Sequence, residues 1–207
     1  MTLIAAIVDR DRTVHMIGDR LACNDANDMW TLNYPKIAIL TPPHGKDKVL
    51  IGACGNIELA VVCTQLFSPP PLPEDESGLA FYRWVLNDMR PKFREEIARQ
   101  GLFKKDKDGE PELPGRILVA ARGQMIVLER KVIPVACQRS HWAIGSGEDY
   151  CTGIVHHSLK NATNQPTARQ CRDYLLAGMR VSVELRNTIG PPFDYINTKG
   201  EQQTFEK

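Results

Sequence analysis

Thr2 carries two groups that together can cleave an acyl bond. Its hydroxyl is a nucleophile, and once Met1 is removed its α-amine becomes a base on the same residue, with a reference pKa near ~8. The amine can take the hydroxyl proton directly or through a water. Threonine is small enough for methionine to be trimmed ahead of it, so no longer propeptide need be invoked. A Met-Thr start is common, and Thr2 alone reads equally as the first residue of a strand. Other reactive side chains are scattered. His156 and His157 are adjacent on a predicted helix and point about 100° apart, which suits no shared metal, and His15, His44 and His141 lie far from them in sequence. No metal and no cofactor are expected. Cys54 reads as a small buried hydrophobe rather than a reactive thiol.

The elements that must position Thr2 follow from periodicity. Residues 2–8 and 13–18 read as strands rich in apolar and β-branched residues, joined by the turn Asp9-Arg10-Asp11-Arg12, with Asp19 ending the second. The polar stretch that follows, with Asn24, Asp25, Asn27 and Asp28, reads as a loop. Residues 36–40 and 48–54 form another pair around Thr41-Pro42-Pro43-His44-Gly45, opened by Lys36 and closed by Gly52-Ala53-Cys54-Gly55. Apolar residues then recur at helical spacing from the N-cap candidate Asn56 to Leu66, where Ser68-Pro69-Pro70-Pro71 stops the run. Residues 77–100 are helical, with Pro91 kinking or dividing them, and 104–114 read as an exposed loop. Strands are predicted at 116–121, 124–129 and 132–137, followed by Trp142-Ala143-Ile144, helices at 148–159 and 167–186, and a last strand at 193–196. Strands cluster in two groups and helices in two pairs. This order predicts an α+β fold, a four-layer αββα sandwich of two antiparallel sheets flanked by helix pairs, in a single domain over residues 1–207.

With Thr2-Leu3-Ile4-Ala5-Ala6 opening a strand, Gly18-Asp19 ending its partner, Lys36-Ile37 opening the next pair and Gly52-Ala53-Cys54-Gly55 leading into a helix, the chain resembles the N-terminal-nucleophile (Ntn) hydrolases. Within them it is similar to proteasome β subunits and the bacterial proteasome-like peptidase. Ala143-Ile144-Gly145-Ser146-Gly147-Glu148-Asp149-Tyr150 resembles the family segment entering the third helix, and its distance from the first match makes it the stronger sign. The resemblance runs from Thr2 to about Ile196.

The resemblance implies that the Thr2 hydroxyl attacks a peptide carbonyl while the Thr2 amine carries the proton to the leaving amine. It implies that Lys36 supplies positive potential, that Asp19 orients Lys36, that the Gly55 N–H donates to the oxyanion and that Ser146 hydrogen-bonds near the amine. Singly, these residues have simpler readings: Lys36 as a snorkelling strand-edge residue, Asp19 as a turn residue, Gly55 as a turn glycine and Ser146 as a helix N-cap. The joint placement of Asp19 and Lys36 favours the catalytic reading, while Gly55 and Ser146 fit both readings. One segment departs from the family, which carries Arg-Asp-x-x-Ser-Gly where this chain has Arg186-Asn187-Thr188-Ile189-Gly190. Asn187 can hydrogen-bond but carries no charge, and the serine is missing or shortened into Thr188. Ala53 and Ile57, beside Gly55, would line a pocket for an apolar side chain.

The function so implied is a threonine-type amidohydrolase, a proteasome-like endopeptidase of unfolded chains or short peptides, working in a homo-oligomeric ring with an unfoldase as candidate partner. The alternative is a proteasome-fold structural or assembly subunit without turnover. A third reading, small-molecule amide hydrolysis by another Ntn enzyme, fits the chemistry but lacks the segment match.

Composition narrows the setting. The 207 residues suit one domain with a sizeable core, and 26 Lys plus Arg against 25 Asp plus Glu offer no electrostatic case for nucleic acid or an anionic membrane. Six cysteines without a C-x-x-C spacing read as reduced thiols, which points to the cytoplasm. Neither a leader pattern nor a long apolar run is present, so no membrane span is expected and the Asn161-Ala162-Thr163 sequon reads as silent.

Overall fold

The computed structural model describes residues 2–24, 26 and 28–206. Met1, on whose removal the free amine depends, lies outside the described residues, as do Asp25 and Asn27 of the expected loop. The first two strands are β1 (Leu3–Val8) and β2 (Val14–Asp19), and Asp9 closes the turn between them by accepting from the Asp11 and Thr13 N–H groups at 2.9 and 2.8 Å. The polar stretch after Asp19 departs from its reading as a loop. It holds a short hairpin of β3 (Leu21–Cys23) and β4 (Met29–Thr31), with Asn24 Oδ1 accepting from the Ala26 and Asp28 amides in its turn.

After β5 (Ile37–Leu40) and β6 (Val49–Gly55) comes α1 (Ile57–Val61), capped by the Asn56 side chain and widening into a π turn over Val62–Leu66. The second helical region is α2 (Gly78–Trp84), a π turn (Val85–Met89) and α3 (Arg90–Arg99). Pro91 falls at the start of α3, directly after the π turn. The predicted break is thus a local widening of the ladder, placed where proline's missing N–H is best tolerated.

Residues 104–114, expected as a loop, contain the hairpin of β7 (Lys104–Lys105) and β8 (Pro111–Glu112). Then follow β9 (Gly115–Ala121), β10 (Gln124–Leu128), β11 (Pro134–Ala136), β12 (His141–Gly145), α4 (Glu148–Asn161), α5 (Ala168–Leu185) and β13 (Phe193–Asn197). A further strand, β14 (Gln202–Phe205), was not anticipated because its mostly exposed polar residues show no apolar alternation. Backbone pairing with β13 holds it.

The larger two sheets run in the orders β12-β1-β2-β13-β14 and β11-β10-β9-β6-β5, with antiparallel pairing throughout. The period of two along each strand sorts its residues into separate cores. Leu3, Ala5 and Ile7 of β1 pack with Cys151, Val155, Leu175 and Met179 of α4 and α5. Ile4 and Ala6 share a second cluster with Ile37, Leu50, Leu118 and Ala120 of the other sheet. The opposite face of that sheet, with Ile51, Ala53 and Val119, packs with Leu59 of α1, Phe81 of α2 and Phe93 and Ile97 of α3. Each fully buried Leu, Ile or Phe contributes roughly 1.5–3 kcal/mol. Among the described residues no helix is long and apolar enough to cross a membrane.

Candidate active site

Thr2 enters β1 beside the end of β12. The Ser146 N–H donates to the Thr2 carbonyl oxygen at 2.8 Å, and Gly145, at φ +108°, makes that approach possible. A Cβ on Gly145 would stand 1.9 Å from the Thr2 oxygen, so only glycine fits. Thr2 itself is buried.

Asp19 ends β2, next to β1, and its side chain reaches back toward the chain start. Oδ1 accepts the Leu3 N–H at 2.9 Å and, at 3.1 Å, a hydrogen bond from Lys36 Nζ. Lys36, immediately before β5 in the second sheet, also donates to the Leu21 carbonyl. Neither side chain of the pair is more than 2 % exposed. Burial raises the Asp19 carboxyl pKa against the opposing pull of Lys36 and the Leu3 amide. Burial likewise lowers the Lys36 ammonium pKa, and the charge and hydrogen bond of Asp19 resist that fall. The ammonium is therefore a concentrated positive charge in a poorly solvated place, held by one carboxylate oxygen that also fixes the backbone next to Thr2.

Gly55 ends β6 at φ +105°, where a Cβ would lie 2.3 Å from the Pro114 oxygen. The alternation of the ladder directs its N–H. Asn56 N–H bonds to Pro114 on the β9 side, while Ala53 N–H bonds to Lys36 on the β5 side. Gly55, two residues after Ala53, points its N–H the same way as Ala53, past the start of β5. That is where Lys36 and Thr2 lie, since all three line one cleft of about 670 Å³.

Trp30 of β4, with Ile57 and Ala60 of α1, gives that cleft an apolar wall. Ala53 does not line it. Its side chain is buried in the core beneath α1 together with that of Ala60, which corrects its placement as a pocket residue. A second cleft of about 580 Å³ opens on the other side of Thr2 and Gly55, lined by Gly115, Arg116 and Ser146 among others. Ser146 is not the N-cap of α4. Gly147 occupies that position, and Ser146 Oγ instead meets Thr188 Oγ1 at 3.3 Å. Asn187 is exposed and lines neither cleft, so it does not join the cluster; Thr188, its buried neighbour, does. Trp30, Ala60 and Lys104 are cleft residues that the sequence reading missed. Exposure of a tryptophan to solvent was not visible in sequence, and Lys104 sat in a stretch without periodicity.

Solved structures share this architecture. Anbu (ancestral beta-subunit) from Yersinia bercovieri matches with a TM-score of 0.67 at 15 % identity, over 100 % of this chain and 88 % of that one. Thiobacillus denitrificans BPH in complex with Epoxomicin matches with a TM-score of 0.65 at 14 % identity, over 100 % of both chains. The chain has the proteasome-like Ntn-hydrolase fold. HslV from Trypanosoma brucei matches with a TM-score of 0.59 at 15 % identity, over 95 % of this chain and 98 % of that one. No family model matches the chain, and no curated protein matches it by sequence. The proteasome-like fold therefore places Thr2 at a strand start, between two clefts, without by itself establishing an activity.

Proposed function

We propose that the protein is a threonine-type N-terminal-nucleophile amidohydrolase that cleaves peptide bonds. The observation that carries this reading is the double use of Asp19 Oδ1, which ties a buried Lys36 ammonium to the amide next to Thr2. In this reading the Thr2 hydroxyl oxygen attacks the carbonyl carbon and its proton passes to the Thr2 amine, free once Met1 is gone. The resulting oxyanion takes the Gly55 N–H, and Lys36 lowers its energy further; one such donor contributes roughly 3 kcal/mol to the barrier. As the C–N bond breaks, the Thr2 ammonium returns its proton to the leaving amine. Water then attacks the ester carbonyl and gives a proton to the Thr2 amine, which passes it to the Thr2 oxygen as the acyl C–O bond breaks, freeing the acid and restoring the hydroxyl. Ser146 and Thr188 stand beside the nucleophile as a hydroxyl pair that orients the amine.

Ile57, Ala60 and Trp30 favour an apolar side chain on the acyl side of the scissile bond. We read the three apolar clusters as the seams of a four-layer αββα sandwich in one domain. The exposed Tyr150 and Leu185 of α4 and α5 favour association with further copies of the chain. The BPH complex lends support, since that protein, of the same fold over the full length of both chains, binds epoxomicin.

One observation favours a second reading, a proteasome-fold assembly subunit without turnover: the exposed Asn187 stands where the family resemblance calls for a negative charge at the nucleophile. Intact-mass measurement combined with epoxomicin labelling separates the two. A trimmed chain should gain one inhibitor mass at Thr2, and Thr2→Ala should lose it with the unfolding midpoint unchanged. A trimmed, assembled protein that takes no label would favour the subunit.

A further inference from the structure

The second cleft beside Thr2 differs in charge from the first. Its lining holds Lys104, Arg116 and Arg130 against a single acid, Glu112. Arg116 is anchored by Glu148, and Glu148 Oε2 is itself fixed by the Gly145 N–H at 2.7 Å, so the guanidinium is held in place from β12. Arg130 lies 3.7 Å from Glu112, beyond hydrogen-bond length, which leaves its donors available. Lys104 faces Glu112 across the β7–β8 ladder and lines both clefts, so this hairpin forms a shared wall over the nucleophile. Glu148 and Glu129 lie near Arg116 but outside the lining, so the cleft surface itself presents three cations and one acid.

We propose that this cleft selects an aspartate or glutamate on the leaving-group side of the scissile bond. The assignment of sides rests on the hydrolase reading, in which the apolar cleft takes the acyl side. A carboxylate here meets guanidinium and ammonium donors in a walled cleft, where screening by salt is weaker than on open surface. A lysine at the same substrate position would face like charge.

The test is equilibrium binding of fluorescein-labelled peptides to full-length Thr2→Ala protein, which requires no turnover. Three peptides share an apolar residue before the central bond and carry Glu, Ala or Lys after it. The Glu peptide should bind about tenfold more tightly than the Lys peptide at low salt, and the gap should narrow as salt rises. Lys104→Glu and Arg130→Glu, both at exposed positions, should each shrink or reverse the ratio of Glu-peptide to Lys-peptide affinity. Equal affinities, a preference for Lys, or a preference untouched by both variants would overturn the proposal. Absence of cleavage by the trimmed wild-type protein would instead count against the hydrolase, because the affinity ranking is read without it.

Discussion

Asp19 and Lys36 join the two sheets through one hydrogen-bonded ion pair, 3.1 Å from Oδ1 to Nζ, with both side chains buried at the edge of the cleft. Removing one partner strands the other charge. Asp19→Asn, which can keep the Leu3 bond, and Lys36→Met should each lower stability by about 3–5 kcal/mol, whereas the double variant should recover at least ~1 kcal/mol relative to the sum. Urea unfolding of the four proteins measures this, and strict additivity would show that the pair is not coupled.

Gly55 tolerates no side chain. With φ at +105° and Pro114 2.3 Å from a prospective Cβ, Gly55→Ala should cost at least ~2 kcal/mol and displace the amide proposed as oxyanion donor. A loss of ~10²-fold in kcat is expected alongside. Wild-type turnover in this variant would remove Gly55 from the chemistry.

Acid sensitivity should come from His141 in β12. Its ring is buried 5.5 Å from that of His156, and neither nitrogen has a hydrogen bond among the described residues. Burial, then the charges of His156 and Arg139, push its pKa down to about 4. The neutral ring is the form the fold favours. Above about pH 6.5 both folded and unfolded states hold it neutral, and the contribution is full; between 6.5 and 4 the unfolded chain takes the proton first and stability falls. Allowing for partial solvent screening, the loss is about 2–3 kcal/mol. Denaturation midpoints at pH 7 and pH 4.5 should differ accordingly, and His141→Phe should shrink the difference.

Turnover should follow a bell. On the acid side the Thr2 amine must lose its proton, near ~8 for an ordinary α-amine. On the alkaline side the positive charge at Lys36 must survive, and burial brings its loss below the usual lysine range. Profiles of kcat/KM from pH 6 to 10.5 should therefore decline before an exposed lysine would titrate. A plateau reaching pH 10.5 would show that the ammonium is dispensable.

Much of this arrangement could be seen in the residues themselves, because Thr2, Asp19, Lys36 and Gly55 all sit at strand ends, where breaks in alternation are sharp. Ala53 was placed in the pocket for its nearness to Gly55, but with Val49 and Ile51 it is buried in the core beneath α1. Asn187 and Thr188 could not be separated from sequence, since the turn after α5 decides which of two neighbours faces inward. The hairpins β3–β4 and β7–β8 are two or three residues per strand, below the length at which alternation can be recognised. They nonetheless supply Trp30 and Lys104 to the clefts.

Because the carboxylate ends a strand of one sheet and the ammonium directly precedes a strand of the other, neither half of the molecule can build the proposed reactive centre alone. A chain still emerging during synthesis, or one that has come apart, holds Thr2 as an ordinary residue with no strong nucleophilic character. Destructive capacity would then appear only with the finished tertiary structure, so folding itself acts as the safety catch.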